Sequence, residues 1–256
     1  MQFWYQVQKA IQGSDIVAEA LDARLPELSR SADIEQLALR FNKPLIFIVN
    51  KCDLISKERR FEIQKYLGKQ AVCVSGKKNL GMRKLKEALI IAGKKHNQNI
   101  KSPVVCVVGY PNVGKSSIIN ALAKRARAHV SPNAGTTRGI QWIKVGSVLR
   151  VIDSPGVMPI EENDEARIAL LSARDPEKLK RPELAAINII RFLEKNYPKL
   201  LMKHYNLNLE ETSDESDVLT AIARHKHLIL KGNEPDIRRA SIQLIRDWQR
   251  GTISLA

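Results

Sequence analysis

The sequence predicts an α/β domain followed by an all-helical domain, and three observations carry that prediction. Short, nearly continuous apolar runs alternate with amphipathic stretches over the first 160 residues, the pattern of strands buried on both faces of a largely parallel sheet. A glycine-rich loop, Gly109-Tyr110-Pro111-Asn112-Val113-Gly114-Lys115-Ser116, stands directly between one such run and one such stretch. From about residue 164 the strand-like runs stop and helical periodicity alone continues.

Taken in order, the strand-like runs fall at residues 16–21, 45–49, 71–74, 104–108 and 148–152, each followed by a polar loop. Between them, residues 30–42, 57–67, 82–92 and 116–124 have helical amphipathicity. Residues 93–103 (GKKHNQNIKSP) are polar, basic and unpatterned, and read as a linker inside the first domain. Helices are expected at 164–174, 182–196, 198–205, 217–230 and 235–250. The domains are therefore placed at 1–160 and 161–256. In the last helix Ile237, Ala240, Ser241, Leu244, Ile245 and Trp248 form an apolar stripe that belongs to a core. Its other side carries Arg239, Gln243, Arg246 and Arg250, either a solvated face or a contact for RNA.

No run approaches the ~18 apolar residues that a membrane span needs, and nothing at the start resembles an export signal. The three cysteines are odd in number and widely spaced, so they read as reduced thiols. A cytoplasmic monomer is the expectation. The formal net charge is +15. Residues 1–159 carry 26 basic and 11 acidic side chains, whereas residues 160–256 carry 16 of each. Solubility needs a net charge of only about 2–8, so the asymmetry points to a polyanionic partner such as RNA.

The glycine-rich loop fits the phosphate-binding P-loop in its required context after a strand and before a helix. Gly109, Val113 and Gly114 let backbone N–H groups curl around phosphates, aided by the N-terminus of the helix that starts through Ser116 and Ser117. Lys115 reaches the terminal phosphates and the Ser116 hydroxyl ligates Mg²⁺. The motif alone leaves ATP and GTP open. Asn50-Lys51-Cys52-Asp53 follows the run 45–49, at the end of a strand where ligands bind in open α/β sheets. A carboxylate at Asp53 can accept both guanine N–H donors, a pair adenine lacks, and the Lys51 stem can lie along the ring, which argues for GTP. Ser75-Gly76-Lys77 is a second wall of the base pocket, or Ser75 is an ordinary helix cap. Asp153, ending the run 148–152, can hold a Mg²⁺-bound water, and Gly156 can offer its N–H to a γ-phosphate. In Gly135-Thr136-Thr137-Arg138-Gly139 one threonine completes the Mg²⁺ shell, with Thr137 preferred to Thr136.

With these pieces in hand the chain resembles a Ras-like P-loop GTPase whose motifs occur in the wrong order, the base-binding pair preceding the phosphate-binding set. It is similar to the circularly permuted GTPases, and Asp22-Ala23-Arg24-Leu25-Pro26 looks like the DARxP motif of their YlqF/YawG (RbgA-like) group. That resemblance implies a circularly permuted Ras-like GTPase domain at 1–160, a C-terminal helical domain at 161–256 that binds RNA or the ribosome, GTP hydrolysis to GDP and phosphate, and a large ribosomal subunit or its precursor, through rRNA, as partner. Val157 stands where Ras-like enzymes carry a water-orienting Gln, which implies slow intrinsic hydrolysis. Asn112 matches the position that in related GTPases helps to hold K⁺ beside the phosphates. Gly76 departs from the alanine that most relatives have there. The alternative to a ribosome-assembly switch is a GTP-binding regulator with a protein partner.

Overall fold

A computed structural model describes residues 2–125, 141–153, 165–171, 174–207 and 214–256. Its contacts divide the chain into two compact units, Met1–Ile160 with Ala256, and Glu161–Leu255.

The first unit is a six-stranded sheet in the order β3-β2-β1-β4-β6-β5. Its strands are β1 (Ile16–Asp22), β2 (Leu45–Asn50), β3 (Ala71–Cys73), β4 (Val104–Val108), β5 (Gln141–Val145) and β6 (Leu149–Asp153). All neighbours are parallel except the β5–β6 hairpin at one edge. β1 and β4 are wholly buried, as expected of strands covered on both faces; β4 is apolar throughout, and β1 is apolar except for Glu19 and Asp22. On one face lie α1 (Gln2–Gln12) and α3 (Ala32–Arg40). Val7, Ala10, Ile11, Ile34 and Ala38 from these helices pack on Val17, Val104, Cys106, Val108 and Ile152. A short helix, α2 (Pro26–Ser29), precedes α3. Helix α4 (Lys57–Leu67) is capped by Ser56, whose hydroxyl accepts the Arg59 N–H, and packs on β3.

On the other face lie α5 (Met82–His96) and α6 (Lys115–Arg125), in contact with each other. Helix α5 takes in the first four residues of the expected linker. A Cβ at Gly93 would meet the Pro103 ring at 2.6 Å, so the last turn of α5 is pressed against the start of β4.

Besides the short α2, two longer elements were not expected. Strand β5 pairs with β6 across a turn at Gly146, and α1 covers the sheet ahead of β1.

One polar group stands out in this core. Glu19, on β1, is fully buried, and its Oε1 accepts the Ser31 N–H at 2.7 Å at the cap of α3. Its Oε2 has no hydrogen-bond partner among the described residues. Burial pushes its carboxyl up to about 8, against the opposing pull of the Ser31 bond.

The second unit is helical: α7 (Glu165–Leu170), α8 (Pro182–Asn196), α9 (Leu200–Tyr205), α10 (Glu215–His225) and α11 (Ile237–Arg250). Asp236 caps α11, accepting the Arg239 N–H at 2.9 Å, and Gly251 ends it at φ 72. Trp248 is fully buried, donates its indole N–H to the Leu170 carbonyl at 2.8 Å, and meets Phe192 edge to face. The predicted stripe lies inward at Ala240, Ser241, Leu244, Ile245 and Trp248. The opposite side is less uniformly cationic than its sequence suggests. Arg246 is paired with Glu177, and Gln243 donates to Asp247, leaving Arg239 and Arg250 as the exposed cations of the four. Among the described residues no helix is long and apolar enough to cross a membrane.

Candidate nucleotide site

In the sheet β1 and β4 are neighbours, yet the chain runs from β1 toward β2 and from β4 toward β6 and β5. That reversal opens a crevice at the carboxyl ends of the two central strands, where open α/β sheets bind ligands. The loops after β1, β2, β3 and β4 all lie on this edge, and Asp153 closes β6 beside them, in register with Val107.

Asn50 joins three of these loops. Buried at the end of β2, it donates from Nδ2 to the Val113 carbonyl at 2.8 Å, while its Oδ1 accepts the Gly76 N–H at 3.0 Å. The P-loop and the Ser75–Lys77 turn are thus held by one amide. Close approach explains the glycines that meet it. Gly114 has φ 96, and a Cβ there would lie 2.2 Å from Asn50 Nδ2. A Cβ at Gly76 would lie 2.8 Å from the Ser117 carbonyl carbon and 2.9 Å from the Ile118 nitrogen. The departure from alanine at this position therefore goes with a turn seated directly on the first turn of α6.

Within the P-loop, the buried Lys115 donates from Nζ to the Gly109 carbonyl at 3.0 Å and the Tyr110 carbonyl at 2.9 Å. Asn112 adopts φ 60 and is exposed. Ser116 is exposed on the first turn of α6, whereas the Ser117 hydroxyl turns back to donate to the Gly114 carbonyl at 2.7 Å. Ser117 therefore has its hydroxyl engaged inside the loop. The loop thus holds a lysine ammonium on its own carbonyls and presents at its edge an exposed serine, whose hydroxyl oxygen is of the hard kind that Mg²⁺ prefers.

Lys51 has φ 63, and its ammonium is aimed away from bulk water at Asp22, with Nζ to Oδ2 at 2.8 Å. The same carboxylate accepts Nε and a terminal N–H of Arg24 at 3.0 and 2.8 Å, and the Arg24 backbone N–H at 3.0 Å. Burial alone would raise the Asp22 carboxyl, but the two cations outweigh it and hold the group well below the usual carboxylate range. Burial lowers Lys51 from its ordinary value in spite of Asp22. The Asp22-Ala23-Arg24 stretch, noticed in the sequence only as a family mark, is thus a clamp on the Lys51 stem. The signal was its position, at the end of the strand next to β2.

The Asp53 side chain is nearly buried, and the exposed Lys78 approaches it at 3.6 Å. Ser75 caps no helix; its hydroxyl accepts the Lys78 N–H at 3.1 Å, and its backbone pairs with Leu80 in both directions. Lys77 is exposed at the tip of that turn. Thr136, Thr137, Gly156 and Val157 lie outside the described residues.

The fold and this edge define a P-loop nucleotide-binding domain whose base-recognition strands precede its phosphate-recognition strand. A family model described as 50S ribosome-binding GTPase matches residues 104–224, beginning at β4, and one described as RsgA GTPase matches residues 36–163. Ribosome biogenesis GTPase A of Priestia megaterium is 30% identical over 256 residues, covering 94% of this chain and 88% of that protein. An uncharacterized GTP-binding protein of Methanocaldococcus jannaschii is 32% identical over 97% of this chain and 65% of its own length. A guanine nucleotide-binding protein-like 3 homolog of Caenorhabditis elegans is covered over 48% of its length. The chain thus spans less than two thirds of these last two relatives. The crystal structure of GNP-bound YlqF from T. maritima superposes with a TM-score of 0.67, covering 100% of this chain and 96% of that one at 21% identity, a likeness of fold. The chain belongs to the YlqF/RbgA-like circularly permuted GTPases.

Proposed function

We propose that this chain is a guanine-nucleotide switch that hydrolyses GTP to GDP and phosphate and acts in assembly of the large ribosomal subunit. The Asn50 bridge carries the reading, because it couples the loop that recognises the base to the loop that holds the phosphates. Asp53 takes the guanine N–H pair, displacing Lys78, while the Lys51 stem, clamped by Asp22, lies along the ring. Ser75, Gly76 and Lys77 wall the base. Lys115 exchanges its two loop carbonyls for the terminal phosphates, and Gly109, Val113, Gly114 and Ser117 offer backbone N–H groups to the rest.

Ser116, Asp153 and Thr137, with Thr136 as the alternative, would hold Mg²⁺, which would supply charge neutralisation at the phosphates. Gly156 reads the γ-phosphate. Asn112, exposed beside the phosphates, is the proposed K⁺ ligand, and Val157 in place of a water-orienting Gln makes intrinsic turnover slow. The partner is the subunit or its precursor, met through rRNA. Its support is the net +15, concentrated in residues 1–159, and the printed names of the relatives.

The test is GTP turnover in K⁺ against Na⁺ buffer, with and without large ribosomal subunits, and with Lys115→Ala as the control. A slow rate raised by K⁺, raised again by the subunit and abolished in the variant is expected. A rate indifferent to the subunit would remove the ribosomal partner and leave the nucleotide chemistry.

A further inference from the structure

The helical unit contains a cleft of about 380 Å³ between the segment 174–181 and helices α7, α8 and α11. Its floor is apolar, with Ala169 and Ile245 among the residues that form it, and Arg174, Lys178, Lys180 and Arg181 stand around it. The segment reads Arg-Asp-Pro-Glu-Lys-Leu-Lys-Arg, six charged residues of which only two are acidic. Both acids are engaged away from the cations of the cleft. Asp175 accepts the Glu177 N–H at 3.2 Å and caps a short 3-10 turn, and Glu177 pairs with Arg246.

The four cations are exposed and have no acidic partner among the described residues. The backbone between them is fixed. Gln249 donates to the Arg174 carbonyl at 3.0 Å, and the Arg238 guanidinium donates to the Leu179 and Lys180 carbonyls at 3.4 Å each. A ring of exposed cations on a fixed backbone, without an acidic partner among the described residues, around a concave and partly apolar floor has the charge and shape to meet a polyanion that also presents a flat ring.

We propose that this cleft is an RNA-docking site, taking phosphates on its four cations and one unstacked base on its floor. Single-stranded RNA is recognised by bases stacked on aromatic side chains or guanidinium planes while cations follow the backbone; in this cleft the guanidinium planes of Arg174 and Arg181 take the place of aromatic rings. The inference rests on the RNA-directed part of the proposed function. It moves the contact from the outer side of α11, where Gln243 and Arg246 are already engaged, to the neighbouring cleft.

The test measures binding of the full chain to a short fluorescein-labelled RNA stem-loop as KCl is raised. Arg174→Ala, Lys178→Ala, Lys180→Ala and Arg181→Ala are made singly and together. Each lost phosphate contact lowers the logarithmic salt slope by about 0.7, and the fourfold variant loses about 3 in slope and on the order of a hundredfold in affinity near 0.1 M salt. Its GDP affinity and thermal midpoint stay at the wild-type values, which shows that the fold is intact. Wild-type binding with an undiminished slope in the fourfold variant, or loss that follows Arg239→Ala and Arg250→Ala instead, overturns the cleft and spares the RNA reading. No binding of the stem-loop by the wild type at low salt overturns both. Polyglutamate bound through the same four residues in place of RNA identifies an acidic polypeptide as the occupant and also overturns the proposal.

Discussion

Replacing Gly76 with alanine should be damaging in this fold. The added Cβ would stand 2.8 Å from the Ser117 carbonyl carbon and from its Oγ, and 2.9 Å from the Ile118 nitrogen. Carbon atoms rest at about 3.5–4.0 Å, so the turn must retreat from α6 by roughly 1 Å, since two of the three obstacles are backbone. That retreat draws the Gly76 N–H, now 3.0 Å from Asn50 Oδ1, to the limit of a hydrogen bond. Overpacking costs about 1–3 kcal/mol and the weakened bond about 1 kcal/mol more. The expected outcome is a nucleotide-free unfolding free energy lower by about 2–4 kcal/mol in urea. GDP affinity, read with a fluorescent analogue, should fall about tenfold, which is the effect of 1.4 kcal/mol reaching the P-loop through Asn50. An unfolding midpoint and a GDP affinity both equal to wild type would show that the turn yields freely and that the Asn50 bridge does not set the phosphate loop.

Two further substitutions test the buried charges. Asp22→Asn leaves Arg24 and Lys51 without their anion, so stability should drop by about 3–5 kcal/mol in urea unfolding, with a weaker hold on guanine nucleotides. Because the folded state holds this carboxyl below its unfolded value, its contribution is present above the ordinary carboxylate range and lost as pH falls below it; the variant should lack that acid limb. Glu19→Gln tests the opposite case. A carboxyl raised from 4.5 to about 8 makes the folded state bind the extra proton, so wild-type stability should decline as pH rises from about 4.5 to 8. The variant, neutral throughout, should lack this decline in denaturation curves taken across that range.

Legibility in the sequence followed the physics of each element. The central strands were plain because burial on both faces makes β4 apolar throughout and β1 apolar at five of its seven positions, all but Glu19 and Asp22. Edge strand β5 was not, since Gln141-Trp142-Ile143-Lys144-Val145 is five residues long with two polar ones, too short for its alternation to register. Helix α1 gives no clear signal in the sequence, because its apolar face, Val7, Ala10 and Ile11, has meaning only once β4 lies beneath it. At the site, residue types and spacing pointed to Asn50, Asp53 and Lys115, but not to how they meet. Asn50 reaches a carbonyl 63 positions away, and no local pattern encodes such a bond. Likewise the cationic side of α11 was counted correctly, yet its use by Glu177 and Asp247 depends on the neighbouring segment and on side-chain direction.

The position of β1 between β2 and β4 has a consequence for synthesis on the ribosome. The chain emerges with its base-recognition half first, and β1, β2 and β3 can pair as soon as residue 73 is free. One long edge of β1, from Ile16 to Glu19, then has no ladder partner until Val104–Val108 appears more than thirty residues later. An open, apolar, untwinned edge is the feature that invites wrong pairing. The nascent half-sheet therefore waits with an exposed ladder edge, and it has no phosphate loop with which to hold a nucleotide meanwhile.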